Sequence, residues 1–228
     1  MNKKNTNILA LIPAYNEAVH VGAVVKKAKA YLPVLVVDDG STDETAGRAE
    51  AAGAAVLSQR PNQGKGAALQ AGFRRAVAEG YEAVVMLDGD GQHDPAEIST
   101  FLNAYQASQA DLIIGARDFS QMPRLRRTTN TIGRVMFSWA LGQPIPDNQS
   151  GYRLVSRRLM EALVHSKELS WEYEMEMIVV CLRLGFEMEW APIRTIYADE
   201  ISHIKPVRHV IHYFRMVWQS RQLMQGKK

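Results

Sequence analysis

Short apolar runs alternate with longer amphipathic stretches through the first half of the chain. Asn7 to Ile12 reads as a buried strand stopped by Pro13, and Val34 to Val37 as a second. Ala54 to Leu57, Ala83 to Leu87 and Asp111 to Gly115 read as three more. Helical patterns fill the intervals Glu17 to Tyr31, Asp43 to Ala52 and Gly64 to Glu79, with Ser41 or Thr42 placed to cap the second. Asp94-Pro95-Ala96-Glu97 opens another helix, with Asp at the cap and Pro at the first helical position. Such alternation predicts an α/β fold: a mostly parallel central sheet with helices on both faces. Beyond Ser120 the rhythm changes to helices over Leu125 to Leu141 and Trp171 to Leu184, then a strand over Phe186 to Ile193. No linker or repeat interrupts the pattern, so one domain is expected over residues 1–202, followed by a C-terminal helix in 203–228.

In an open parallel sheet, ligands bind beyond the carboxyl ends of the strands. Five successive strand ends here are polar or glycine-rich: Pro13-Ala14-Tyr15-Asn16-Glu17, Asp38-Asp39-Gly40-Ser41, Asn62-Gln63-Gly64-Lys65-Gly66, Asp88-Gly89-Asp90-Gly91-Gln92-His93-Asp94 and Gly115-Ala116-Arg117. Asp88 and Asp90 can approach one cation if the chain bends, and Gly89 and Gly91 permit the bend. Hard oxygen ligands without cysteine suit Mg²⁺ or Mn²⁺; Gln92 adds a neutral oxygen, and His93 is a weaker candidate ligand. Asp94 already serves as a cap, which leaves Asp88 and Asp90 with no evident structural task. Lys65, between glycines at a helix start, offers N–H groups and a cation to a phosphate. Asp38 and Asp39 suit a ribose hydroxyl or a base N–H, or equally a turn before the next helix.

Composition narrows the classes. With 46% apolar and 22% charged residues over 228 positions, the chain is neither disordered nor fibrous. The single cysteine, Cys181, excludes an intramolecular disulfide and a thiolate zinc site, and among Val179, Val180, Leu182 and Leu184 it reads as a buried, inert thiol. No apolar run reaches the roughly 18 residues of a spanning helix. Met1 to Asn5 leads straight into a strand without a signal-peptide core, so a reducing cytoplasm is the expected compartment.

The net charge of +3 hides an asymmetry, because no Asp or Glu follows Glu200, while Lys205, Arg208, Arg215, Arg221, Lys227 and Lys228 do. A basic end on a slightly acidic body suits an anionic partner. Val207, Val210, Ile211, Phe214, Val217 and Trp218 recur at helical spacing, opposite Arg208, His212, Arg215, Gln219 and Gln222. That stripe fits a membrane interface, or packing onto the domain or a second subunit. No recognised motif supports nucleic acid.

Taken together, the four motifs Pro13 to Glu17, Val37 to Ser41, Asn62 to Gly66 and Asp88 to Gln92 resemble the family 2 glycosyltransferases of the GT-A fold. Gly115-Ala116-Arg117 and Gln149-Ser150-Gly151-Tyr152-Arg153 extend the likeness over most of residues 7–200, and it is greatest to the dolichyl- and polyprenyl-phosphate sugar synthases. The resemblance implies a Rossmann-like sheet, a nucleotide-sugar donor (UDP- or GDP-hexose), a divalent ion and inversion at the anomeric carbon. It implies that Pro13, Tyr15, Glu17 and Asp38 line the nucleoside pocket, with Asp39, Lys65 and Gly89 beside the donor. It also implies that Asp88, Asp90 and Gln92 hold the ion on the diphosphate, while Arg117 and Arg126 or Arg127 steady phosphate charge. Ser150, Arg153 and Ser202 would shape the acceptor side. Synthases of this group often carry Ser-Lys-Leu in the acceptor loop, whereas here the stretch is Ser202-His203-Ile204-Lys205, with the lysine displaced. A hydroxyl acceptor must lose a proton, for which Asp147 is the candidate base; a polyprenyl phosphate is already anionic and needs cations instead.

Overall fold

The computed structural model describes residues 7–121, 124–165, 173–194 and 206–226, and their side chains except those of 121–126 and 206–212. The first half is built from β1 (Ile8–Ala14), α1 (Val21–Ala28), β2 (Val34–Asp38), α2 (Thr45–Ala51), β3 (Ala55–Ser58), α3 (Lys65–Ala78), β4 (Ala83–Met86) and α4 (Ile98–Ser108). The second half adds β5 (Leu112–Arg117), α5 (Arg124–Leu141), β6 (Arg153–Ser156), α6 (Arg157–Leu163), α7 (Tyr173–Arg183), β7 (Met188–Ile193) and α8 (Pro206–Met224). The strands form one sheet in the order β3-β2-β1-β4-β6-β5-β7. All pairs are parallel except those of β6, which runs antiparallel to β4 and to β5.

The strand period of two explains the layering. Along β1, Leu9 and Leu11 enter one apolar cluster with Leu69 and Phe73 of α3, while Ile8, Ala10 and Ile12 enter the other with Val21 and Val25 of α1. Both faces of β1 are therefore buried, and its sequence is an unbroken apolar run rather than an alternating one. Helices α3, α5, α6, α7 and α8 supply the first cluster; α1, α2 and α4 supply the second. Gly72 lets α3 approach β1: a Cβ there would lie 2.4 Å from Leu11 Cδ1. A side chain at that point would have to displace the core, which typically costs about 1–3 kcal/mol.

Three sequence expectations are corrected. The helix expected from Glu17 begins at Val21, because the N–H groups of Asn16, Glu17 and Ala18 are already bound by Ser41 Oγ, Thr45 Oγ1 and Asp43 Oδ2. Those bonds hold the segment as a turn against the loop after β2. Neither Ser41 nor Thr42 caps α2; Asp43 accepts from the Thr45 N–H instead. Strand β6 and helix α6 were not anticipated. A four-residue strand with only two apolar positions, Leu154 and Val155, is too short to register as periodic, and the central antiparallel place of β6 depends on its neighbours. The turn at Asp94 is as expected, with Oδ1 accepting from Ala96 N–H, although it opens with a short 3₁₀ segment over Pro95–Glu97.

Candidate functional site

The carboxyl ends of β1, β2 and β4 lie side by side, with Ala14 paired to Asp38 and Leu11 to Met86. Their following loops therefore share one edge. Pro13 is half-buried and Tyr15 is exposed there, beside the half-buried Glu17. Asn16 takes a φ of 57°, a left-handed conformation that asparagine tolerates, and its Oδ1 accepts from Thr42 N–H at 2.8 Å. Asp38 is buried and accepts from Ser41 N–H at 3.1 Å. Asp39 is also buried and spends both oxygens on the loop before α3, accepting from Gln63 N–H at 2.9 Å and Gly64 N–H at 2.7 Å. Its geometry is that of an anchor for the Lys65 loop, closer to the turn role than to the ribose or base contact that the sequence left open beside it.

Below this edge, Asp88 has a dense set of partners. Lys65 Nζ lies 2.6 Å from its Oδ1 and 2.9 Å from Glu174 Oε1. The backbone N–H of Asp88 donates to His93 Nδ1 at 3.0 Å. Asp90 Oδ1 accepts from Gln92 N–H at 2.8 Å, and Gly89 is buried between the two carboxylates. The expectation that Asp88 and Asp90 lack a structural task is thus corrected: one pairs with a lysine and the other closes the turn. His93 is likewise not an available Nδ1 ligand; its ring packs on Tyr152, 4.9 Å between centroids, which in turn stacks on Phe101 at 4.5 Å. Gly151 leaves the space the ion pair occupies, because a Cβ there would sit 2.9 Å from Asp88 Oδ2 and 3.2 Å from Lys65 Nζ.

Charge state follows from this packing. Burial raises the tendency of the Asp88 carboxyl to hold its proton, but Lys65 and then His93 outweigh it and keep the group below the usual carboxylate range. Burial would strip the proton from Lys65; Asp88 and Glu174 reverse that and hold it as an ammonium. Burial keeps His93 neutral, below its ordinary range. A hollow of about 210 Å³, lined by His20, Lys27, Gly91, His93 and Asp94 among others, flanks the loop on its α1 side.

A second ion pair borders the site. Arg117, at the end of β5, donates from Nε at 2.6 Å and from Nη2 at 2.9 Å to the two oxygens of Asp147. Asp147 is fully buried and also accepts from Gln149 and Ser150 N–H groups. With both oxygens engaged it positions Arg117; the expected role of proton acceptor does not match this geometry. Arg153, expected on the acceptor side, is fully buried and donates to the carbonyls of Ser150, Asn148 and Glu174, so it braces the fold from within. Burial lowers its pKa to about 10. Ser150 is buried, and its Oγ has no hydrogen-bond partner among the described residues. Arg127 is exposed on α5. The side chain of Arg126, and Ser202 altogether, lie outside the described residues.

The sequence signalled Glu174 only faintly. It is buried, paired with Lys65, and its Oε2 has no hydrogen-bond partner among the described residues. Its one sequence sign is a carboxylate on a helix whose neighbours Tyr173, Met175, Met177 and Ile178 are all core. Among the described residues, no group of three or more His, Cys, Asp or Glu side chains is assembled for a metal ion. Asp88, Asp90 and Gln92 do supply hard oxygen donors, and the ammonium on Asp88 shows that this carboxylate attracts a cation.

Away from the sheet edge, α8 packs on α5 and α7, with Val217 in the core. Tyr213 Oη donates to Gly133 O at 2.5 Å. Ile132, Val135 and Trp139 form one exposed line on α5, and Phe214 and Trp218 form another on α8, each residue more than half exposed. Arg221 continues the α8 line, its guanidinium 3.7 Å from the Trp139 ring centroid. Of the apolar stripe expected on the tail, Val217 packs inward while Phe214 and Trp218 face out; the side chains of Val207, Val210 and Ile211 lie outside the described residues. Among the described residues, no helix is long and apolar enough to cross a membrane.

Residues 10–164 match the family model described as glycosyl transferase family 2. An undecaprenyl-phosphate mannosyltransferase of Micrococcus luteus is 31% identical over 218 residues, spanning 87% of this chain and 86% of that protein. A polyprenol monophosphomannose synthase of Mycolicibacterium smegmatis is 33% identical over 207 residues, spanning 81% of this chain and 76% of that one. Glucosyl-3-phosphoglycerate synthase from Mycobacterium tuberculosis, solved with Mn²⁺, uridine diphosphate and phosphoglyceric acid, superposes with a TM-score of 0.74 at 21% identity, covering 98% of this chain and 80% of that chain. Because the family match extends over most of the chain and the fold superposes on a solved GT-A enzyme over 98% of its length, the chain belongs to glycosyl transferase family 2 and is a glycosyltransferase of the GT-A fold.

Proposed function

We propose that this glycosyltransferase moves a hexose from a UDP- or GDP-linked donor to a polyprenyl phosphate at the cytoplasmic face of a membrane, with inversion at the anomeric carbon. One observation carries the choice of acceptor. The carboxylate best placed by sequence to deprotonate a hydroxyl, Asp147, is bound through both oxygens to Arg117. What borders the site is a held guanidinium rather than a free base, which suits a nucleophile that is already an anion. The two curated relatives above, named for undecaprenyl-phosphate and polyprenol-phosphate mannose transfer, support the same acceptor.

In this reading an acceptor phosphate oxygen attacks the anomeric carbon, the bond from that carbon to the donor diphosphate breaks, and the nucleoside diphosphate departs with the electron pair. Negative charge gathers on the leaving group and must be met by fixed cations. Asp88, Asp90 and Gln92 would hold Mg²⁺ or Mn²⁺, which when bound supplies positive charge to the diphosphate. The solved neighbour of the same fold was crystallised with Mn²⁺ and uridine diphosphate together, which supports a divalent ion accompanying the donor. Pro13, Tyr15, Glu17 and Asp38 would receive the nucleoside along the edge of β1 and β2. Arg117 and Arg127 would steady phosphate charge, Asp147 fixing the first of them. Ser150, whose buried Oγ has no partner among the described residues, remains our candidate for the acceptor side.

The outward lines of α5 and α8 support a peripheral membrane position. Neither helix contains an acidic residue, and Trp139, Phe214 and Trp218 are exposed beside Arg134, Arg215 and Arg221. Aromatic and cationic side chains together suit an anionic lipid interface. The single buried thiol, Cys181, suits a reducing compartment.

The test is product analysis with three acceptors: a polyprenyl phosphate, the matching polyprenol, and 3-phosphoglycerate as a soluble hydroxyl. Each is incubated with a panel of UDP- and GDP-hexoses and Mn²⁺. Sugar transfer to the polyprenyl phosphate alone is expected. Transfer to either hydroxyl acceptor, with the lipid phosphate inert, overturns the reading and restores a base-catalysed mechanism.

A further inference from the structure

We infer that Lys65 is a resident counter-ion of Asp88 that competes with the divalent ion, and that Glu174 is the seat to which it withdraws when the ion and donor load. The inference rests on the metal-dependent reading above and deepens it. Lys65 Nζ is shared between two carboxylates from distant parts of the chain, 2.6 Å from Asp88 Oδ1 and 2.9 Å from Glu174 Oε1. A divalent ion on Asp88 would meet this ammonium at the same carboxylate. Two cations at one oxygen pair repel strongly where water is scarce, so Lys65 must leave Asp88 for the ion to bind well.

The structure supplies somewhere for it to go. Glu174 is buried, and among the described residues its Oε2 has no hydrogen-bond partner. A buried carboxylate oxygen without a partner is costly, and a lysine turning wholly onto Glu174 would satisfy it. The movement is a side-chain swing about a fixed α3 start, because the loop before Lys65 is anchored by both oxygens of Asp39. Gly151 keeps the space between Asp88 and Lys65 open, since a Cβ there would press on both. The expected consequence is order: in donor-free protein the lysine holds Asp88 and the ion binds weakly. A donor diphosphate supplies further oxygens for the ion and a new partner for the lysine, so ion and donor bind cooperatively. Glu174 is in this sense a positioning residue, acting through Lys65.

The test is Mn²⁺ titration by electron paramagnetic resonance of the free ion, with and without UDP, on the wild type, K65M, K65R, E174Q and the K65M/E174Q double variant. Without UDP, K65M is expected to bind Mn²⁺ at least about tenfold more tightly than wild type, since it loses a neighbouring positive charge. K65R, which keeps the charge, should stay weak. E174Q should weaken Mn²⁺ binding, because the lysine is left with Asp88 alone. That weakening should vanish in the K65M background, as a coupled pair requires. A loss of equal size in both backgrounds would mean that Glu174 acts on the ion directly, and would overturn the proposal. So would K65M with unchanged or weaker Mn²⁺ binding. If K65M does not fold, E174Q against wild type decides the matter: equal donor-free affinity in the two overturns the proposal. Wild type that binds no Mn²⁺ even with UDP sinks the metal reading itself, an outcome distinct from unchanged affinity in K65M.

Discussion

Arg117 and Asp147 face each other through two parallel hydrogen bonds of 2.6 and 2.9 Å, from Nε and Nη2 to the two carboxylate oxygens. The carboxylate is fully buried and the guanidinium nearly so. A planar fork of this kind fixes direction as well as charge. The arginine can therefore be held toward a phosphate without a search among rotamers.

Replacing Asp147 by Asn keeps the shape and removes the charge. We expect D147N to lose about 3 kcal/mol of stability, because breaking one side of a buried pair strands the other. Transfer should fall with it. The double variant R117M/D147N should recover part of the stability and none of the activity. Denaturant melts and initial rates check both. A D147N protein as stable as wild type would show that the pair is not needed for folding.

Asp88 and Asp90 should be the most sensitive positions for turnover. D88N and D90N are each expected to reduce transfer by at least about 10²-fold, the order seen when a fixed charge stabiliser is removed from a developing anion. Chelation of divalent ions should produce a loss of the same order in wild type, reversed by added Mn²⁺. Full activity under chelator would remove the ion from the mechanism.

The exposed lines on α5 and α8 predict lipid binding that depends on aromatic residues. F214E/W218E should reduce flotation with anionic vesicles several-fold and leave transfer to a short, water-soluble polyprenyl phosphate unaltered. W139E should act in the same direction, since Arg221 ties its ring to α8. Undiminished flotation of the double variant would assign those residues to another contact.

Cys181 should resist alkylation in the folded protein. Burial raises its pKa to about 12, against an ordinary value of 9.0. At pH 8 the folded thiolate is therefore scarce, and the group is also closed off from reagent. The sign for stability follows: below pH 9 both states hold the proton and the thiol contributes nothing, whereas above it only the unfolded chain ionises, so stability declines toward pH 12. Iodoacetamide labelling with mass detection, before and after denaturation at pH 8, is expected to show modification only in the unfolded chain.

Much of the site was legible because motifs at strand ends need only local sequence to be seen. The Asp88 to Gln92 turn, the Lys65 loop and the Asp94 cap all lie within a few residues of their own partners or element boundaries. What escaped were the partners that arrive from elsewhere. Asp39 reads as a donor contact until Gln63 and Gly64 are seen to consume both its oxygens. Arg153 reads as an accessible cation until β6 is placed between β4 and β5, where the side chain has no route to solvent. Glu174 has no partner within its own helix to mark it, and its role is visible only once Lys65 is found against it.

The amino-acid order by itself determined the alternation of strand and helix, the burial of β1 on both faces, and the gathering of polar residues at strand ends, because periodicity and turn chemistry act between near neighbours. Tertiary structure alone decided which charges meet. Ion pairs depend on separation in space, and the chain folds Lys65 between Asp88 and Glu174, and Arg117 onto Asp147, across separations that no local pattern encodes.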